Sequence, residues 1–429
     1  MDFCKKITTD LRNCFRFSPS DIRHMVLRPG RDFTRKRKLS LDSLALHFLS
    51  LQSSDLGSEL SSLGHFHPDS ITASGFRQQR DKLQPDAMKL VFHRFRRCCE
   101  RHSHRTLRGL RVFACDGSDF AVVANPRDAD SYFLSNPKCH GHNLVHVNAL
   151  YDVLNHLYVD LSIYPRRLNN ERRAALELIP RAACLGRALY LFDRGYEGYA
   201  VPLLLEQLGQ SYLIRVQGPE QNSILKGIRK DLEKHLHPDG TFDVTFTRHL
   251  KKQKDGHYSY LAHPTAETIS LTFRAVRVHI PGGKTECLLT NLPKTMASQN
   301  DLKELYRLRW GIETSFRHLK YDIGGRVLHA RDFKHYVHEL YASFLLYNYC
   351  SLIIHHYNRK YTRFLAKKKH TYRINFRQGI RVCRQYLKDA AVPVERMLLK
   401  HVVAIRKDRP KQERKTVGFK GAVGFLYRM

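Results

Sequence analysis

"LRVFACDGS" (residues 110–118) and "RALYLFDRGY" (residues 187–196) decide the fold. Each is a short apolar run that ends on an acid and then turns at a glycine: Asp116 before Gly117, Asp193 before Gly195. Apolar runs of this length, bounded by turn residues, read as buried strands. Working outward, "HVNALYDVLNHLYVDLSIYP" (146–165) predicts a hairpin that turns near Asp152 to Asn155. "NNERRAALELIPRA" (169–182) and "YAVPLLLEQLG" (199–209) predict helices, and "SYLIRV" (211–216) another strand. Strands that alternate with helices predict an α/β domain on a mixed sheet.

Both flanks differ from this centre. Residues 216–285 lose the alternation; "GTFDVTFTRHL", "GHYSYLAH" and "SLTFRAVRVHI" are strand-like, with turns at "HPDG" and "PGGK". That segment reads as a β-rich insertion. "TECLLTNLP" (285–293) returns as a strand. The first 105 residues read as helical. "LSLDSLALHFLSL" places Leu41, Leu44, Phe48 and Leu51 at helical spacing. The stretch 69–102 predicts two helices broken near Pro85, with Thr72 or Ser74 as a cap and Arg77, Arg80 and Lys82 outside. Such a basic helix suits a DNA groove or the solvated face of a bundle. The expected organisation is a helical N-terminal region (1–105), a core in two parts (106–215 and 286–355) around the insertion (216–285), and a basic C-terminal region (356–429).

The chain has 429 residues and a formal net charge of +33. A charge that large repels itself in a compact state, so a polyanionic partner is expected, nucleic acid before an anionic membrane. Ten scattered cysteines without a C-x-x-C pair suggest a reducing compartment rather than a disulfide framework. "MDFCKKITTDLRNCF" lacks the apolar core of a signal peptide. "LYASFLLYNYCSLII" (340–354) is short of a span, and Asn348 within it favours a buried helix. "KCHGH" (138–142) lacks zinc-ligand spacing. The C-terminal runs "NRKYTRFLAKKKH" and "RKDRPKQERK" suit phosphate contacts that do not read sequence.

Three acids are candidates for chemistry: Asp116, Asp193 and Glu313. Phosphodiester chemistry needs charge neutralised on attacking and leaving oxygens, which carboxylate-held divalent ions provide. An Asp before Gly equally serves a turn, and Asp119 rivals Asp116. "ELYRLRWGIETSFRHLK" (304–320) is read as one helix. At 100° per residue, Tyr306, Arg309, Glu313 and Lys320 share one narrow stripe, beside an apolar stripe of Leu305, Leu308, Ile312, Phe316 and Leu319. Periodicity leaves two readings open: a phosphate-gripping flank, or a surface Arg309–Glu313 pair.

The spacing Y-x-x-R-x-x-x-E-x-x-x-x-x-x-K, filled by Tyr306, Arg309, Glu313 and Lys320, resembles the Tyr-Arg-Glu-Lys signature of bacterial insertion-sequence transposases of the Asp-Asp-Glu superfamily (the insertion-sequence-four type). "ACDGS", "FDRGY" and "LLTNLP" are similar to that family's words in the same order, as are "FTRKRKLSLDSLALHFLSL" and "ITASGFRQQRDKL" near the N-terminus. The resemblance implies a ribonuclease H-like fold. It implies that Asp116, Asp193 and Glu313 bind two Mg²⁺, with Mn²⁺ as a substitute. Tyr306, Arg309 and Lys320 would grip DNA near the transposon end. It implies cut-and-paste excision and strand transfer by a homodimer on DNA, with terminal inverted repeats and target DNA as partners, in the bacterial cytoplasm and on the nucleoid. A nuclease without strand transfer, or an inactive DNA-binding derivative, are the alternatives. Relatives that hold a flipped base use a Trp of the insertion. The single Trp here, Trp310, lies in the signature stretch, so a flipped base would be held by another aromatic.

Overall fold

The computed structural model describes residues 2–35, 37–51, 55–68, 70–102, 105–134, 141–168, 170–221, 223–251, 268–280, 284–324, 328–362 and 371–405. "GHYSYLAH", "RKDRPKQERK", and most of "KCHGH" and "AKKKH" lie outside the described residues. The chain divides into two compact units. One joins residues 1–87 to 349–429, and the other comprises residues 88–348.

The second unit carries a nine-stranded sheet. Its strands are β1 (Arg111–Ala121), β2 (Tyr132–Phe133), β3 (His142–Asp152), β4 (Leu157–Pro165), β5 (Ala188–Phe192), β6 (Ser211–Val216), β7 (Phe242–Lys251), β8 (Thr268–Ile280) and β9 (Lys284–Thr290). β1, β3 and β4 form an antiparallel meander. β5 and β6 then run parallel to β1. Parallel neighbours need crossovers, and the helices Glu171–Ala183 and Ala200–Gln207 provide them. Asn170 starts the first, its side chain accepting from Arg173 N. The resulting order β4-β3-β1-β5-β6 is the ribonuclease H-like arrangement expected from the resemblance.

β9 pairs antiparallel with β6, β8 with β9, and β7 with β8. The strands of the segment read as an insertion therefore extend the same sheet. The hairpin β3–β4 turns where expected, and Arg111 reaches the buried Asp152 at its base (Nη2–Oδ2 3.1 Å).

The apolar stretch 340–354 lies inside one helix, Phe333–Lys360. No described helix is long and apolar enough to cross a membrane. Asn348 has a specific use within its unit. Its Oδ1 accepts from Tyr158 N (2.8 Å) and its Nδ2 donates to Tyr158 O (2.9 Å), so one buried amide satisfies both backbone groups of a β4 residue. Asn348→Leu leaves two buried backbone groups unpaired at roughly 1–3 kcal/mol each. The expected loss is about 3 kcal/mol, read from the midpoint of urea unfolding. An unchanged midpoint with an unchanged slope would refute this role.

The first unit is helical, with helices Phe3–Asn13, Pro19–Met25, Leu41–Ser50, Leu56–Leu63 and Ala73–Arg80, and with Phe376–Lys388 and Val394–Lys400 from the C-terminal side. Leu41, Leu44 and Phe48 are buried as their spacing predicts, and Thr72 is the cap of Ala73–Arg80. Thr8 bonds Tyr349 through their hydroxyls (2.8 Å), and Arg384 donates to Leu51 O (2.7 Å), so the two ends of the chain build one core. Arg80 corrects the expected basic face. It lies one turn after the buried Phe76 and is itself buried, whereas Arg77 is exposed.

Candidate active site

Asp193 directly follows β5 as expected, but Asp116 does not end its strand: β1 runs through Gly117, which pairs with Asn148, and on to Ala121. The last parallel Cα pair is Ala114 with Leu191, so each acid stands two residues beyond it on its own strand. Two residues preserve the face, so the register sets the acids side by side. Asp119 is an odd number of residues from Asp116 and faces the other way. His146 Nδ1 is 2.5 Å from its Oδ1, and Arg166 Nε is 3.2 Å from its Oδ2. Against burial, which raises it, the hydrogen bond and charge of His146, with Arg166 and Lys320, hold the Asp119 carboxyl below its usual range.

The turn reading of Asp193 also holds. One of its oxygens accepts from Gly195 N (2.8 Å) and caps the turn Arg194–Tyr196.

Residues 304–320 are not one helix. Gln299–Arg307 ends, and Trp310–His318 begins anew. At the junction Arg309 N bonds Tyr306 O, and Gly311 N bonds Leu308 O, which is three-residue spacing rather than the α ladder. A further π turn, Leu319–Ile323, carries Lys320. The break shifts the expected stripes. Tyr306 and Arg309 are buried, while Leu305 and Leu308 are only half-buried.

Arg309 joins the elements. Its Nη1 is 3.5 Å from Asp116 Oδ2, and its Nη2 donates to Glu313 Oε1 at 2.6 Å. The Arg309–Glu313 pair is therefore no surface pair, since the Arg309 side chain is only 6% exposed. The guanidinium also lies over the rings of Tyr306 (5.8 Å) and Trp310 (5.5 Å). Arg309 Nε and the Tyr306 hydroxyl are buried without a hydrogen-bond partner. Lys320 Nζ donates to Ser118 Oγ at 2.7 Å, two residues along β1 from Asp116. Trp310 is 58% exposed.

Burial pushes the Asp116 carboxyl up to about 7, and the charges of Asp193 and Glu313 push the same way; Arg309 and the Gly117 N–H oppose them. An acid so placed gains from added positive charge. Among the described residues, no three His, Cys, Asp or Glu side chains are placed to hold a metal ion. Asp116 and Glu313 share the Arg309 fork instead. The donor set is carboxylate oxygen throughout, which suits hard divalent ions.

Sequence reading missed His146 and Glu171. Their signal lies in Gly117. A Cβ built there would sit 2.6 Å from His146 Nε2 and 2.7 Å from Glu171 Oε1, so only glycine admits both side chains.

The family model described as "Transposase DDE domain" matches residues 107–349, more than half of the chain. The chain belongs to this transposase family. The DDE domain so matched contains every strand from β1 to β9 and all six residues singled out from the sequence. Among solved structures, the chain is similar to the piggyBac transposase in a cryo-EM synaptic complex with hairpin DNA. The likeness has 12% identity and a TM-score of 0.40, and covers 96% of this chain and 73% of that one. No curated protein matches.

Proposed function

We propose that this transposase is a cut-and-paste enzyme of the Tyr-Arg-Glu-Lys insertion-sequence group, with Asp116, Asp193 and Glu313 as its metal-binding catalytic acids. One observation carries the reading: within the matched domain, a buried Asp116 with its carboxyl near 7 meets Glu313 through Arg309 and stands beside Asp193. Two Mg²⁺, or Mn²⁺ in their place, would activate water and then a DNA 3′-hydroxyl and neutralise charge at the scissile phosphate.

The protein's own groups do the rest. Asp116 and Asp193 would hold the ions from adjacent strands, and Glu313 from the facing helix. Arg309 screens the acids when no ion is present. Its fork, the Tyr306 hydroxyl and the Lys320 ammonium grip DNA phosphates. The net charge of +33 supplies affinity without sequence, so binding falls steeply with salt. The helical residues 1–105 and the basic residues 356–429 add DNA contacts. The partners are terminal inverted repeats and target DNA, held by a homodimer on the bacterial nucleoid.

The test is purified protein with Mg²⁺ and a linear DNA that bears the element's terminal repeats. Cleavage followed by joining is the expected result. Cleavage without joining would mean a nuclease, and binding without cleavage in Mg²⁺ or Mn²⁺ would mean a DNA-binding derivative.

A further inference from the structure

His146 and Glu171 stand beside the acids but have no part in the reaction described above. His146 lies on β3, and Glu171 opens the helix Glu171–Ala183. The His146 side chain is 4% exposed, and its Nε2 is buried without a hydrogen-bond partner. That nitrogen points at Glu171 Oε1, 3.6 Å away.

The protonation pattern makes this gap informative. A carboxylate accepts only, so the 2.5 Å contact with Asp119 assigns a proton to Nδ1. In the neutral ring Nε2 is then an acceptor that faces a carboxylate, itself an acceptor. A second proton on Nε2 does not close the gap, because 3.6 Å exceeds a hydrogen bond. With a neutral ring the pair lacks a cation or donor between its two acceptors; with a protonated ring it is an ion pair without a hydrogen bond.

The glycines point the same way. Glu171 Oε1 occupies the space that a Gly117 side chain would need, and Glu171 Oε2 is 3.6 Å from the corresponding position on Gly195. Gly117 follows Asp116, and Gly195 is the residue whose N–H donates to the capping Asp193 carboxylate. Glu171 thus lies against the backbone after both acids.

We propose that Glu171 is a fourth carboxylate of the divalent-cation site, set in place by His146 and admitted by Gly117. This rests on the metal reading of Asp116 and Asp193 given above. Asp119 is the positioning residue behind His146, fixing its tautomer.

The experiment is a calorimetric titration of full-length protein with Mn²⁺, free of DNA, beside thermal unfolding in chelator. Glu171→Gln keeps the Asn170 cap and is expected to weaken Mn²⁺ binding about tenfold or more. Its melting temperature in chelator should stay near that of wild type. Gly117→Ala, which displaces Glu171 and His146, should weaken binding in the same direction. If Glu171→Gln does not fold, Glu171→Asp, one methylene shorter, replaces it with the same expectation. Unchanged Mn²⁺ affinity in the Glu171 variant, with affinity lost in Asp116→Asn, overturns the proposal and leaves the three-acid reading standing. A lower melting temperature with unchanged affinity overturns it too, as a structural ion pair. Affinity unchanged in both Glu171 and Asp116 variants overturns both readings.

Discussion

Asp116→Asn is expected to keep DNA binding and lose strand cleavage by about 10³-fold or more. The size follows from the role proposed. Charge stabilisation at a reacting phosphate is worth several kcal/mol, and about 4 kcal/mol corresponds to ~10³ in rate. Asn retains the shape and one acceptor oxygen but not the charge. It also keeps an oxygen for the Gly117 N–H that now bonds Asp116 Oδ1 (2.9 Å), so the strand should fold as before. Glu313→Gln should behave alike, since its Oε1 is held by Arg309. Gel-shift and cleavage assays on the same DNA read both halves. A variant at either position that cuts at the wild-type rate refutes the assignment of that acid.

Arg309→Leu is expected to make stability depend on divalent ions. Arg309 is buried and touches both Asp116 and Glu313. Its removal strands two carboxylates around a desolvated site, and breaking such a pair costs about 3–5 kcal/mol. An added cation takes over the same work: an ion at 100 times its Kd returns about 2.7 kcal/mol. The variant should therefore melt well below wild type in chelator and regain much of the loss in Mn²⁺. Wild type should gain less, because Arg309 already screens its acids. Arg309→Lys should not substitute fully, since a single ammonium cannot fork between two carboxylates. Thermal unfolding with and without Mn²⁺ checks this. An equal Mn²⁺ shift in variant and wild type would show that Arg309 does not stand in for a cation.

Much of the site was legible because its signals are local. The apolar runs around residues 110–118 and 187–196 each end on an acid, and strand periodicity is written within a few residues. The four-residue signature is likewise a spacing along one short stretch. The contest between Asp116 and Asp119 was not legible, since both follow the same apolar run. Pairing settles which way each one points: Asp116 meets Arg309, and Asp119 meets His146 and Arg166. Periodicity also misread residues 304–320, because an even 100° turn cannot anticipate the break at Leu308–Arg309.

By itself, the sequence determined the alternation of strands and helices, the acid at the end of the second strand, the helical N-terminal segment and the basic charge. These depend on neighbours one to four residues apart, where side-chain direction follows from backbone period alone. Only the tertiary structure decided that the strands of residues 216–285 continue one sheet, that Arg309 bridges two acids, and that His146 and Glu171 fill the space beside Gly117. Those facts join residues tens to hundreds of positions apart. Register and packing set them, and neither leaves a mark within a short window of sequence.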